Sequence, residues 1–306
     1  MASNIFLLLG ISLAWASGYL FIDAADHGLP PLTATAFMSA VAALVLLPGV
    51  AWGLRRPLLQ PLRVRLWVPL VMALTAVAWP NLSVVLAERH VAPELAALVG
   101  TTVPIITFLL TVFVTRQTPY SHRRVLGVMI ALAGMVTFVG LEELLGNDSQ
   151  LHGILIMMSG GLVFALNGLL ASSKARDLDE CALAAWVVAF GAVLLAIAAA
   201  VHEAGQITMP PVHVMASVVA EGLLGMGLAS LAYYVLLARA GPYFTSFYAF
   251  LVPLLGVLLA AVVRDEPLSP QHLAGLTIVL LGLWLLSSTA IRRPVPLPEK
   301  TPAPAE

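Results

Sequence analysis

Ten apolar runs follow one another along this chain, and they limit what it can fold into more than any other feature. They are Ile5–Ile22, Thr33–Trp52, Leu66–Ala87, Val91–Val114, Val125–Leu141, Gly153–Ser172, Ala182–Val201, Val214–Leu237, Tyr243–Val263 and His272–Ile291. Each is near the ~20 residues that carry an α-helix across ~30 Å of hydrocarbon at about 1.5 Å per residue. The fifth is the shortest. Inside lipid a backbone must satisfy its own hydrogen bonds, so runs of this length fold as helices. Composition agrees: 60% of residues are hydrophobic and 10% charged, with a mean hydropathy of +0.97. Soluble domains run at about 45–50% and about 25%. The expectation is an all-α integral membrane protein of ten transmembrane helices.

Lys and Arg positions predict how such a bundle is oriented. With the N-terminus inside, the inner segments hold Arg55, Arg56, Arg63, Arg65, Arg116, Arg123, Arg124, Lys174, Arg176, Arg239, Arg292, Arg293 and Lys300. The outer joints hold only Arg89 and Arg264, so 13 of the 15 basic residues share one side. Both termini are then expected in the cytoplasm. Met1–Asn4 lacks the basic start of a signal peptide, and the first run reads as a retained helix. Residues 292–306, with Pro294, Pro296, Pro298, Pro302 and Pro304, read as a disordered cytoplasmic tail. Cys181 is the sole cysteine, which excludes an intramolecular disulfide framework and any multi-cysteine metal site. The net charge of −1 argues neither for nor against an anionic partner.

The runs come in two sets. The stretch from Ala87 to Arg116 enters its run at Pro93 and carries Pro104 at mid-run; Pro242 and Pro253 repeat this at an offset of 149. Gly10, Gly18, Val85, Leu86 and Arg89 recur as Gly160, Gly168, Val235, Leu236 and Arg239, and Gly127 and Gly134 as Gly275 and Gly282. Two diverged copies of a five-helix unit would give this, over residues 1–145 and 150–291. Five is odd, so the second copy must enter the membrane from the opposite side. The expected arrangement is two five-helix inverted repeats around a central cavity, as in carriers that work by alternating access.

The second copy ends on Arg264-Asp265-Glu266-Pro267 and a helix bearing Gly275 and Gly282; the first has Arg116-Gln117-Thr118-Pro119 at the matching place. With ten spans in a five-plus-five repeat, the chain resembles the EamA-type branch of the drug/metabolite transporter superfamily, and within it the YddG-type aromatic amino-acid exporters. The resemblance covers the whole chain. It implies ten helices around a central cavity and export of amino acids and related metabolites.

Polar groups inside the runs are the candidates for function, because each is costly in hydrocarbon unless it meets a partner or a cavity. Glu221 is the one acid well inside a run, ~10 Å from its outer end at 1.5 Å per residue. It is expected near the outer mouth, wetted by the vestibule; the other reading is a protonatable, coupling or amine-binding carboxylate. The seven histidines all fall at run ends or in joints, so neither a histidine relay nor a metal site is expected. Trp79-Pro80-Asn81-Leu82-Ser83 places a kink beside an indole, an amide and a hydroxyl. Trp79, Asn81 and Ser83 either line a substrate cavity or join neighbouring helices, and Asn167 divides the same way. Trp15, Phe164, Trp186, Tyr233, Tyr234 and Tyr248 complete the candidate substrate-binding set; Trp52 and Trp67 read as interfacial anchors. Gly10, Ala14 and Gly18 form a small-residue stripe for close packing. Thr101, Thr102, Thr107 and Thr111 are expected to bond back to their own helix. Pro80, Pro104 and Pro253 are candidate hinges.

A cavity rich in aromatic faces and poor in fixed charge suits small zwitterionic metabolites, aromatic amino acids above all, carried outward across the inner (plasma) membrane. No Lys or Arg lies deep in a run, which disfavours strongly anionic substrates. A broad-specificity drug or metabolite efflux carrier of the same fold is the alternative. An intramembrane serine hydrolase is disfavoured, because Ser17 has no deep histidine to act as base. No cofactor and no nucleic acid is expected; the assembly would be a monomer or weak homodimer in the lipid bilayer.

Overall fold

The computed structural model describes residues 2–26, 28–87, 90–91, 99–139, 148–206, 210–263 and 269–290. The expected tail at 292–306 and the joints holding Arg89, Pro93, Glu142, Glu143 and Arg264–Pro267 lie outside the described residues. Among the described residues every regular element is helical. The helices are α1 (Ala2–Asp26), α2 (Pro31–Gly53), α3 (Gln60–Arg65), α4 (Trp67–Ala87), α5 (Thr102–Val114), α6 (His122–Val139), α7 (Asp148–Lys174), α8 (Glu180–His202), α9 (Val212–Thr245), α10 (Tyr248–Val263) and α11 (Pro270–Ala290).

Five of them, α2, α4, α7, α8 and α9, are long and apolar enough to cross a membrane. Shorter apolar stretches occupy α1, α5, α10 and α11, at Ser3–Gly18, Thr102–Val114, Tyr248–Val263 and Pro270–Leu286. Each of the ten apolar runs contains a helix, and the short α3 is the one element outside them.

Several helices are irregular at mid-length, for reasons the sequence supplies. α4 widens into a π-helical stretch at Leu74–Ala78, ahead of Pro80. Pro80 has no N–H to give the carbonyl one turn back, and the wider spacing relieves that mismatch. α9 is π-helical over Gly222–Ala229, which sits at the same place in the second copy when shifted by the repeat offset. α9 then breaks at Gly241, whose φ of 78° and ψ of 168° suit glycine alone, immediately before Pro242. α5 starts after a turn at Thr101, so Pro104 lies in its first turn, where proline costs little, and not at mid-helix. Pro253 lies inside α10.

The helices pack in matched sets. α6 lies along α11 and α2 along α8; α1 packs on α9 and α10, and α7 packs on α4 and α5. The α6–α11 seam is built on the repeated glycines. A Cβ on Gly134 would lie 2.6 Å from the backbone nitrogen of Val279 and 3.0 Å from the carbonyl oxygen of Gly275; one on Gly282 would lie 2.6 Å from the nitrogen of Ala131 and 2.8 Å from the oxygen of Gly127. Thus Gly127 meets Gly282 and Gly134 meets Gly275. Residue i meets j of the other copy while j meets i, as in a twofold interface. Gly10 is different: a Cβ there would meet nothing within 4 Å.

Charged side chains tie the bundle at its two ends. At one end, Arg56 reaches Asp179 at 3.2 Å, Arg65 reaches Asp177 at 2.8 Å, and Gln60 bonds both the Asp179 nitrogen (2.7 Å) and the Asp177 carbonyl (2.8 Å). At the other end the buried carboxylate of Glu203, at the close of α8, accepts from Leu32 N (2.9 Å), Thr33 N (2.7 Å) and Thr33 Oγ1 (2.7 Å). A carboxylate on three donors in the first turn of a helix meets its free N–H groups and its positive end together.

Two outcomes test this architecture. Gly282→Leu or Gly134→Leu forces backbone apart and lowers the apparent melting temperature in detergent by several degrees or abolishes the monodisperse peak, whereas Gly10→Ala leaves both unchanged. Glu203→Ala strands three donors and costs about 2–3 kcal/mol, read as a lower midpoint in the same thermal assay; a midpoint equal to that of the parent protein would remove the clamp from the account.

Candidate functional site

The five candidate aromatics Trp15, Phe164, Tyr233, Tyr234 and Tyr248 come together where α1, α7, α9 and α10 meet. Tyr233 is the hub: its ring centroid lies 5.7 Å from Trp15, 5.4 Å from Phe164, 5.3 Å from Tyr234 and 6.1 Å from Tyr248. Tyr248 stands edge-on to Trp15 at 4.6 Å and to Phe164 at 5.9 Å. These are the tilted and edge-to-face arrangements that opposed ring quadrupoles favour. The break at Gly241 produces the cluster. It stops α9, so that α10 starts with Tyr248 at the depth of Trp15 and Phe164 instead of at the end of the bundle.

The rings touch one another and leave only a narrow crevice, lined by Val103, Thr107, Phe164, Tyr233, Ser246 and Tyr248 among others, of about 10 Å³. That is room for about one water. A ligand larger than water must part the rings to enter this crevice.

Beside the rings lie polar atoms without partners. Asn167 is 0% exposed and stands next to the hydroxyls of Tyr233 and Tyr234. Its Oδ1 lies 3.4 Å from Thr75 Oγ1, while its Nδ2 and the Tyr234 hydroxyl lie close to each other without meeting in good hydrogen-bond geometry. Thr107 Oγ1 is also buried and unpartnered. This departs from the expectation that all four threonines of that run bond back: Thr102 and Thr111 do, to Val99 O and Phe108 O, but Thr107 faces the crevice. Buried polar groups with nothing to bond are uncommon, and a group of them beside a crevice marks where a polar ligand would be met.

Glu221 sits one helical turn from this cluster. It is 4% exposed, which overturns the expectation of a carboxylate wetted at the outer mouth. Helix α1 covers it, because Gly18 has no side chain: a Cβ there would lie 2.9 Å from Glu221 Oε1. A Cβ on Gly225 would overlap the carboxylate outright. The carbonyl of Gly225 in turn accepts from Trp15 Nε1 at 3.0 Å. Gly18, read from sequence as part of a packing stripe with Gly10 and Ala14, serves the carboxylate instead.

The remaining candidates lie elsewhere. Trp79 is 36% exposed and donates to Ser159 Oγ at 3.2 Å. Asn81 turns back on the Val77 carbonyl at 2.7 Å. Ser83 bonds Pro80 O at 2.8 Å and fills the space over Gly160, an α4–α7 contact. Trp186 stacks on Phe190 and donates to Leu58 O at 2.8 Å, pinning the connection that follows α2. None of these four joins the aromatic cluster; in this conformation they hold helices and a connection together. Sequence reasoning passed over Gly225, whose small size is legible only once Glu221 is placed, and Tyr243, which lies 5.5 Å from Phe108 and beneath the guanidinium of Arg124 at 5.7 Å.

Known proteins agree with this picture. The EamA-like transporter family matches the chain twice, at residues 2–140 and 151–288. The uncharacterized inner membrane transporter YedA of Escherichia coli (strain K12) is 25% identical over 282 residues, 92% of this chain and 89% of that protein. Protein PagO of Salmonella typhimurium is 22% identical over 297 residues, 96% and 94% of the two chains, and the uncharacterized transporter YoaV of Bacillus subtilis (strain 168) is 21% identical over 197 residues, 62% and 68%. A solved crystal structure superposes with a TM-score of 0.80 at 20% identity, covering 95% of this chain and 98% of the other, a likeness of fold alone. Two matched copies spanning nearly all of an all-helical, apolar chain place it in one family: this protein is a membrane transporter belonging to the EamA-like transporter family.

Proposed function

We propose that this transporter exports small zwitterionic metabolites, aromatic amino acids foremost, across the inner membrane by alternating access between two five-helix halves in inverted orientation. The observation that carries the substrate reading is the cluster of five rings around Tyr233 with the unpartnered Nδ2 of Asn167 and hydroxyl of Tyr234 beside it. A ligand ring can take the place of one ring contact in such a cluster, and a ligand carboxylate can accept from the two free donors.

The halved architecture is supported by the packing. Exchanging α1 with α7, α2 with α8, α4 with α9, α5 with α10 and α6 with α11 carries most of the packed helix pairs onto one another: α1–α10 onto α5–α7, α1–α9 onto α4–α7, α2–α9 onto α4–α8, and α6–α11 and α2–α8 onto themselves, while α7–α9 and α5–α9 have no counterpart. The glycine seam is reciprocal under the same exchange. Bending would concentrate where backbone hydrogen bonds are already missing or widened: the π stretch before Pro80, the break at Thr101 before Pro104, and the stretch from Gly241 to Pro253. The name of YedA agrees with an inner-membrane transporter and that of YoaV with a transporter, and the basic bias of the joints agrees with both termini inside.

Purified protein in liposomes, challenged with a panel of amino acids, tests the substrate. Tryptophan, phenylalanine and tyrosine are expected to be carried in preference to alanine, serine or lysine. Tyr233→Ala and Phe164→Ala should each weaken apparent affinity about 2- to 12-fold, the equivalent of about 0.5–1.5 kcal/mol per ring pair, and Asn167→Ala by a similar factor. Equal handling of aliphatic and aromatic substrates would sink the aromatic reading. Orientation is checked separately in a Cys181-free background: a cysteine at Asp148 should react with an impermeant thiol reagent in intact cells and one at Arg63 should not. Labelling at Arg63 from outside would invert the topology.

A further inference from the structure

We propose that Glu221 is the ammonium-binding group of the transport site, so that the ligand's positive end is read on α9 while its ring lies among the aromatics; this assignment rests on the proposed amino-acid function. The carboxylate is placed for it. It is almost wholly buried, its Oε2 accepts no hydrogen bond, and no described side chain pairs with it. A carboxyl removed from water must either meet a cation or hold a proton, because an isolated charge in hydrocarbon or protein interior is among the most expensive groups a fold can carry, and an arriving ammonium supplies the first. A fold with no use for that charge would have an apolar residue here.

The surroundings are shaped to the carboxylate rather than accidentally spacious. Gly18 on α1 and Gly225 on α9 lie against its oxygens, and a methyl group at either position would collide with them. Gly225 falls within the π-helical stretch Gly222–Ala229, which begins directly after Glu221. Such a widening is typical of helices adapted to a site and interrupts the regular carbonyl ladder beside the carboxylate. Gly222 makes the same stretch compatible with close approach of α2, since a Cβ there would meet Met38 O at 2.8 Å. Three glycines thus serve one side chain and its neighbour helix.

Spacing connects the carboxylate to the rings. Trp15 and Gly18 are three residues apart and share a face of α1, about 4.5 Å along the axis. Trp15 is fixed by its own bond to the Gly225 carbonyl and contacts Tyr233 and Tyr248. A ligand ring among Trp15, Tyr233 and Tyr248 therefore lies about one turn from the carboxylate, within the reach of the short chain that joins ring to amine in an aromatic amino acid. Asn167 and Tyr234 stand next to Tyr233.

The test crosses one side chain with one ligand group. Binding of tryptophan, tryptamine (which has the amine but no carboxylate) and indole-3-propionate (which has the carboxylate but no amine) is measured to the full-length protein in lipid nanodiscs. The parent protein should bind the two amines more tightly than indole-3-propionate. Glu221→Gln should weaken both amines about 10- to 100-fold and leave indole-3-propionate within twofold, cancelling the preference. Gly225→Ala, which keeps the carboxylate but displaces it, should give the same amine-selective loss. Glu221→Asp should retain part of the preference. Unchanged amine binding in Glu221→Gln, or an equal loss for all three ligands, overturns the assignment while leaving the aromatic reading standing. A parent protein that binds none of the three overturns the aromatic reading and this assignment together.

Discussion

Everything in this fold depends on one constraint: in hydrocarbon a backbone polar group that loses its helical partner finds no water to replace it. Regular helices meet the constraint automatically, so irregularities have to be positioned with care. Two π stretches, at Gly49–Gly53 and Leu110–Val114, close α2 and α5 at exposed ends, and the others lie inside the bundle. The π stretch of α4, the break at Thr101, the π stretch of α9 and the break at Gly241 all lie on helices that pack against α1 or α7. These are the places where freed carbonyls can be met by side chains, as Trp15 meets Gly225 O and Asn81 meets Val77 O. The same irregularities bring Tyr248 to mid-depth and open the notch for Glu221. Backbone strain and the candidate site therefore have one origin.

The periphery follows the opposite logic. α6 and α11 are regular and meet along glycines so closely that backbone lies against backbone. In lipid no hydrophobic force draws helices together, and close approach with its dispersion contacts is what holds them. α2 and α8 lie along each other in the same way and are tied at both ends, by Glu203 under α2 and by Arg56 with Asp179 and Glu180 ahead of α8. Two stiff pairs thus flank a set of broken helices. In the proposed alternating-access cycle these two seams are the natural axes, because they are the largest contacts that map onto themselves under the exchange of halves.

Much of this was legible in the residues, and the parts that were not share a physical cause. Apolar run length located every described helix except the short α3, because lipid imposes a length that soluble cores do not. The repeated glycines marked the two copies, but their meeting across the α6–α11 seam was not read from sequence. Depth along the run singled out Trp15, Phe164, Tyr233, Tyr234 and Tyr248, which do meet. Depth alone could not give azimuth: Trp79 and Trp186 are as deep as their counterparts yet point to neighbouring elements, Ser159 and Leu58. Glu221 was misplaced for the related reason that exposure depends on what lies opposite. Nothing on its own helix indicates that Gly18, two hundred residues earlier in the chain, lets α1 close over it. Pro104 was read as mid-helix from the run that contains it, and the turn at Thr101 moves it to a helix start, where its missing donor is not missed.

The closeness of the rings bears on selectivity. A closed cluster whose crevice holds about one water cannot accept a ligand without losing ring contacts, each worth about 0.5–1.5 kcal/mol. A ligand with a ring restores those contacts as it enters, so the exchange is nearly even and polar groups decide the balance. A ligand without one leaves apolar surface unmatched and a void of the kind that costs core mutants several kcal/mol, ~24 cal/mol for each Å³. Closed packing thus discriminates among zwitterions that present the same ammonium and carboxylate, without any hydrogen bond to the part that differs. It also ties recognition to movement. The rings come from α1, α7, α9 and α10, from both matched copies of the chain, so in the proposed alternating-access cycle parting them to admit a ligand would accompany separation of the halves on one side of the site.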